Sequence, residues 1–170
     1  DDALRARFGF AATDFVVVFC GRLQPEKGIA ELLEALALLD DPTVKLLIIG
    51  SPFFGKTADS PFLQALQTRA AALGDRVRFT GFIPNEELPA YYRLADLACV
   101  PSTWQEPAGL VPVEAMACGL PLLATRSGGM PEYIRAASPY FVDITPNLPR
   151  DLAAGITALR GDAPRRAAMA

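Results

Sequence analysis

Short, nearly unbroken apolar runs alternate along this chain with stretches in which apolar residues recur every third or fourth position. Phe15-Val-Val-Val-Phe-Cys20 stops at Gly21, Val44-Lys-Leu-Leu-Ile-Ile49 at Gly50, and Val77-Arg-Phe-Thr80 at Gly81. Leu97-Ala-Cys-Val100 stops at Pro101, and Leu120-Pro-Leu-Leu-Ala-Thr125 and Tyr140-Phe-Val-Asp143 complete the set. Apolarity without alternation predicts strands covered on both faces, as in a parallel sheet. Between them, Ile29, Leu32, Leu33, Leu36 and Leu39 form one stripe at helical spacing, and residues 62–73 and 86–94 repeat the pattern. Residues 144–170, rich in Ala and Arg, predict one or two closing helices. Strand–helix alternation of this kind makes right-handed crossovers. The expected fold is α/β, a doubly wound parallel sheet of about six strands.

Ligands of such sheets sit beyond the carboxyl ends of the strands, so the residues after each apolar run carry the chemistry. The first run leads into Gly21-Arg-Leu-Gln-Pro-Glu-Lys-Gly28 and then a helix. A glycine-flanked loop that opens a helix offers backbone N–H groups to an anion, and Arg22 and Lys27 add a planar fork and a point charge. The competing reading is a solvated loop with surface charges.

The fourth run leads into Ser102-Thr-Trp-Gln-Glu-Pro-Ala-Gly-Leu-Val-Pro-Val-Glu-Ala-Met-Ala-Cys-Gly119. Pro107 and Gly109 keep Glu106 on the loop, and Pro112 fits only a first helical turn, so the helix starts near Gly109. Apart from Glu114, the segment from Leu110 to Cys118 is apolar all round, which predicts a buried helix. A carboxylate on such a helix needs donors, from a neighbouring side chain or from a ligand diol such as ribose. The N–H groups of Gly109, Leu110 and Val111 form an expected anion site. The third run leads into Gly81-Phe-Ile-Pro-Asn85, an apolar loop that either flanks a base or only connects, with Glu86 and Glu87 opening the next helix. Trp104 reads as a packing residue beneath its loop, with a sugar platform as the alternative.

Composition narrows the field. Of 170 residues, 51% are apolar and 21% charged, with a formal net charge of −3. One domain spanning 1–170 with a substantial core is expected, and the lack of a basic face argues against nucleic acid. Histidine is absent, which removes Ser–His and Cys–His catalysis within the chain and a His-rich zinc site. Cys20, Cys99 and Cys118 are scattered in apolar stretches, which reads as reduced buried thiols and a cytoplasmic protein. No secretory leader or membrane span is expected.

Several motifs stand together, in order, between about Phe15 and Ile134. They are Gly21-Arg-Leu-x-x-Glu-Lys-Gly28, Gly81-Phe-Ile-Pro84, Glu106-x7-Glu114, Glu114-Ala-Met-Ala-Cys-Gly-Leu-Pro121 and Ser127-Gly-Gly-Met-Pro-Glu132. The set resembles the C-terminal domain of retaining glycosyltransferases of family 4, which have the GT-B fold. The resemblance implies a Rossmann-like half of a two-domain enzyme whose N-terminal acceptor domain is absent from this chain, leaving the isolated chain inactive. It implies a nucleoside diphosphate sugar as ligand, UDP-hexose foremost, with no metal and no other cofactor. It implies that Arg22 and Lys27 hold the diphosphate with the N–H groups of Leu110 and Val111. Gly21 would line the same site, Phe82 and Ile83 would receive the base, Glu114 the ribose and Glu106 the transferred sugar. Arg22, Lys27 and Glu106 are the expected catalytic residues, Glu106 as a hydroxyl contact rather than a covalent nucleophile. Ala108 stands where the family often has Phe or Gly. Membrane contact, if any, is expected only through the missing half.

Three rivals are weighed. Gly50-Ser-Pro-Phe-Phe-Gly-Lys56-Thr57 matches the phosphate-loop pattern G-x4-G-K-S/T after a strand. In that motif a helix starts at the Lys-Thr pair, whereas here Asp59-Ser60-Pro61 intervenes and Pro61 suits a later start. A receiver-type module needs acidic residues where Gly21-Arg22 and Gly81-Phe82 stand. A sugar-nucleotide epimerase shares the architecture, but the Glu106-x7-Glu114 pair favours a transferase.

Overall fold

A computed structural model describes residues 2–51, 60–105, 109–135 and 138–170. The strands are β1 (Phe15–Cys20), β2 (Val44–Ile49), β3 (Val77–Gly81), β4 (Leu97–Val100), β5 (Leu122–Thr125) and β6 (Tyr140–Val142). They form one sheet in the order β3-β2-β1-β4-β5-β6, with every neighbouring pair parallel. β1 and β2 pair in register from Phe15 opposite Val44 to Cys20 opposite Ile49. The helices are α1 (Asp2–Arg7), α2 (Ile29–Leu38), α3 (Pro61–Ala72), α4 (Leu88–Leu94), α5 (Leu110–Ala117), α6 (Met130–Tyr133), α7 (Leu148–Gly161) and α8 (Ala163–Met169).

The alternation of side chains along each strand divides the core into two layers. Phe15, Val17 and Phe19 of β1 pack with Leu32, Leu36, Leu152 and Ile156, so α2 and α7 cover one face. Val16 and Val18 pack with Tyr92, Leu94, Ala115 and Met130, so α4, α5 and α6 cover the other. Both faces of β1 and β2 are dry, which is why those strands carry no polar alternation, whereas the edge strand β3 is partly exposed. Lys45 is the exception, a buried lysine on β2 whose ammonium meets the Asp75 carboxylate at 2.8 Å.

Differences from the sequence reading have local causes. β5 begins at Leu122 rather than Leu120 because Pro121 has no N–H to give the ladder, although its carbonyl accepts from the Ala98 N–H at 2.9 Å. α4 begins at Leu88, because the N–H groups of Glu87 and Leu88 both turn back onto the Pro84 carbonyl first. α3 starts at Pro61 with the Ser60 hydroxyl accepting from the Leu63 N–H, a capped start where the proline had suggested one. The closing segment docks firmly, with Leu148, Leu152, Ile156 and Leu159 all buried.

Candidate functional site

The strand order reverses between β1 and β4, since β1 continues to β2 on one side and the chain returns to β4 on the other. Loops leaving such neighbouring strands diverge to opposite faces and open a crevice at their carboxyl ends. Here the crevice has two halves. One, about 280 Å³, lies over β1, β2 and β3 and is lined by Gly50, Phe82, Ile83 and Glu114. The other, about 320 Å³, lies toward β4 and is lined by Lys27, Pro101, Ser102 and Gly109. Cys20, Gly21, Arg22, Leu110 and Val111 line both and join them.

Three glycines make the floor. Gly21 donates its N–H to the Ile49 carbonyl at 3.0 Å and Gly50 donates to the Gly81 carbonyl at 2.9 Å, so the strand ends stay laced together without side chains above them. At Gly50, with φ of +139°, an added Cβ would lie 1.8 Å from the Gly21 carbonyl oxygen. A side chain there would split β1 from β2 at the point where the crevice begins.

The walls come from loops tied to one another. Gly28 has φ of +71°, and its α-carbon presses so near the following loop that a Cβ would lie 1.8 Å from the Pro101 carbonyl oxygen. That approach lets the Thr103 N–H reach the Glu26 carbonyl at 2.9 Å. The loop after β4 is in turn stitched to the loop after β5. Thr125 Oγ1 donates to the Ser102 carbonyl at 2.6 Å, Ser127 Oγ to the Trp104 carbonyl, and the Gly128 N–H to Gln105 Oε1 at 3.1 Å.

Arg22 is exposed and makes no ion pair among the described residues. Lys27 is half-buried, its ammonium 5.7 Å from the centre of the Trp104 ring. Trp104 is 43% exposed, so it is not the packing residue beneath the loop that its type suggested. α5 carries no side-chain cap. The Gly109 N–H, expected to be open to an anion, donates to the Tyr133 hydroxyl at 2.8 Å instead. The anion-facing donors of α5 thus begin at Leu110 and Val111, and Tyr133 fixes the turn before them.

α5 is also less buried than its composition implied. Pro112 and Ala115 face the core, while Leu110 is 74% and Val113 47% exposed. Leu110 and Val111 line the crevice. Glu114 is half-buried, and the Tyr92 hydroxyl donates to its Oε2 at 3.1 Å. The donor needed by this carboxylate therefore comes from a neighbouring helix. Phe82 is 50% exposed at the rim and Ile83 packs below it.

Of the residues singled out in the sequence, Gly21, Arg22, Lys27, Phe82, Ile83, Gly109, Leu110, Val111 and Glu114 all line the crevice. Glu106 and Lys56 lie outside the described residues. Tyr92 and Tyr133 were not singled out. Tyr91-Tyr92 sits at core positions of a helical pattern, and Tyr133 directly follows Ser127-Gly-Gly-Met-Pro-Glu132, so proximity to that motif was its one available signal.

The fold and crevice define a doubly wound α/β domain with cationic side chains and a helix start converging at its switch point. Comparison with known proteins names the group. The profile of the family described as "Glycosyl transferases group 1" matches residues 1–170, and the chain belongs to that family. A D-inositol 3-phosphate glycosyltransferase of Mycobacteroides abscessus is 45% identical over 131 residues, 76% of this chain and 28% of that protein. Spore coat protein SA of Bacillus subtilis is 38% identical over 121 residues, 70% of this chain and 32% of that protein. The structure of Anabaena HepE in complex with UDP-glucose superimposes with a TM-score of 0.87 at 32% identity, covering 99% of this chain and 44% of that one. The chain thus spans less than half the length of each of these relatives, and its sheet is a Rossmann-like domain of the GT-B type.

Cys20, Cys99 and Cys118 form no disulfide, and burial pushes the Cys20 and Cys99 thiols up from their ordinary range. No helix among the described residues is long and apolar enough to cross a membrane.

Proposed function

We propose that this chain is the donor-binding domain of a retaining glycosyltransferase that moves a hexose from UDP to an acceptor held by another part of the enzyme. The observation that carries this reading is the division of the crevice. One half, with Phe82 and Ile83 beside the Glu114 carboxylate, is joined through Arg22, Leu110 and Val111 to a second half that contains Lys27 and Ser102. A nucleoside diphosphate sugar has the same order of parts, from base and ribose through two phosphates to sugar. Anabaena HepE, whose fold this chain shares, is described in complex with UDP-glucose.

The chemistry follows from the charges. Cleaving a sugar–phosphate bond builds negative charge on the departing diphosphate and positive character on the ring. Arg22, Lys27 and the N-terminus of α5 stabilise that diphosphate without a metal, and they gain most where water is excluded. Retention of configuration follows if the acceptor attacks from the face the diphosphate leaves, and the leaving phosphate takes the acceptor proton. Glu106, a few residues before α5 in the sequence, accepts from hydroxyls of the sugar and orients it over the leaving group. A phosphate-loop NTPase is not favoured, since α3 starts at Pro61 with Ser60 as its cap, whereas in that motif the helix starts at the Lys-Thr pair.

The two carboxylates test these roles separately by calorimetric titration with UDP and UDP-glucose. Glu114→Gln is expected to weaken both ligands by the same factor, about tenfold, because both contain the ribose. Glu106→Gln is expected to leave UDP within about twofold and to weaken UDP-glucose alone. Equal losses for the two ligands at Glu106 would remove it from the sugar.

A further inference from the structure

Side chains from three elements meet beneath the half of the crevice that holds Phe82 and Ile83. Tyr92 on α4 is 1% exposed. Its hydroxyl lies 3.1 Å from Glu114 Oε2 on α5, beside the Cys20 side chain at the end of β1. A phenol has one proton to give, and a carboxylate only accepts, so that proton goes to Glu114. Burial raises both the phenol and the thiol above their ordinary range, which keeps these protons in place.

A buried tyrosine needs a partner, and a backbone carbonyl would have served. Here the partner is the carboxylate that lines the crevice, and it is engaged at one oxygen. No second donor reaches Glu114 among the described residues. Glutamate has three side-chain torsions, and a ligand that had to freeze them would bind more weakly. A partner that is itself immobilised removes that freedom before the ligand arrives.

We propose that Tyr92 is a positioning residue that holds Glu114 by Oε2 so that Oε1 stands ready to accept a ribose hydroxyl of the nucleotide. This rests on the reading of Glu114 as the ribose ligand and adds the element that aims it. Tyr92 does not touch the ligand. Its effect passes through Glu114 and is confined to ligands that carry the diol.

The test is calorimetric titration of the 170-residue chain with UDP and with 2′,3′-dideoxy-UDP, for the parent, Tyr92→Phe, Glu114→Ala and the double variant. Phenylalanine keeps the buried ring and deletes only the hydroxyl. Tyr92→Phe is expected to weaken UDP about three- to tenfold while leaving dideoxy-UDP within about twofold. The double variant is expected to bind UDP as Glu114→Ala does, within about twofold, because the two act as one unit. An equal loss for both nucleotides would overturn the proposal, since the hydroxyl would then be merely structural. So would no loss, an added loss in the double variant, or a Tyr92→Phe chain that binds neither ligand. The underlying reading fails differently. Glu114→Ala losing UDP and dideoxy-UDP equally would remove Glu114 from the ribose, whereas a diol-selective loss at Glu114 beside an unaffected Tyr92→Phe would remove Tyr92 alone.

Discussion

Replacing Arg22 by alanine is expected to weaken UDP binding by roughly 1–3 kcal/mol, the range for a hydrogen bond to a charged group. The guanidinium stands where the two halves of the crevice join, and no ion pair holds it among the described residues. Its planar fork suits a diphosphate better than lysine would. The paired control is Lys56→Ala. Lys56 is the lysine of the segment Gly50–Thr57 that matches the phosphate-loop pattern, and it is assigned no part in binding. Titration of both variants with UDP checks the assignment. Lost binding at Lys56 with intact binding at Arg22 would transfer the phosphate site to the wrong loop for this account.

Gly28→Ala is expected to damage the fold severely, costing about 3 kcal/mol or more in chemical denaturation. Two terms add. The residue sits at φ of +71°, where a side chain costs about 1 kcal/mol. The new Cβ would also lie 1.8 Å from the Pro101 carbonyl oxygen and 2.7 Å from its carbon, and backbone has no flexible end to swing away. The loops after β1 and β4 must then part, which breaks the Thr103 N–H bond to the Glu26 carbonyl. Lys27 and Ser102 line the same half of the crevice, so nucleotide affinity should fall together with stability. A loss below about 0.5 kcal/mol, the ordinary scale of surface substitutions, would show that the loops are not fixed by this contact.

Much of this architecture is written locally. β1 and β2 are legible because both faces of each strand are dry, so six consecutive positions in each escape alternation apart from Lys45. The start of α5 is legible because Pro112 and Gly109 restrict the backbone themselves. What was not legible depends on distant partners or on the direction a surface faces. α1 buries none of its residues and so leaves no apolar stripe to read. It is anchored through Arg5, whose Nη1 donates to the Leu94 carbonyl at 3.0 Å and lies 3.5 Å from Asp96. α5 reads as buried because nearly every residue is apolar, yet Leu110 lines the crevice and Val113 is exposed, and composition does not distinguish a core from an apolar rim.

The ligand-facing residues divide in the same way. Arg22, Lys27 and Glu114 are visible in sequence because charged residues stand out after apolar strands or on an apolar helix. Tyr92 and Tyr133 are not, because their rings fit the core pattern and only the hydroxyls matter. Those hydroxyls meet partners 22 and 24 residues away in sequence. The same distance argument explains the error at Gly109. Its N–H is an unpaired helix-start donor by local rules, and Tyr133 takes it from another loop.

The most direct test of the donor-binding account is calorimetric titration of this chain with UDP and UDP-glucose in EDTA, with ADP and GDP as comparisons. The account predicts saturable binding of both uridine ligands at or below millimolar concentration, undiminished by the chelator, because Arg22, Lys27 and the start of α5 neutralise the diphosphate themselves. Failure of every nucleotide to bind at millimolar concentration, or binding that returns only when a divalent metal is restored, would contradict it.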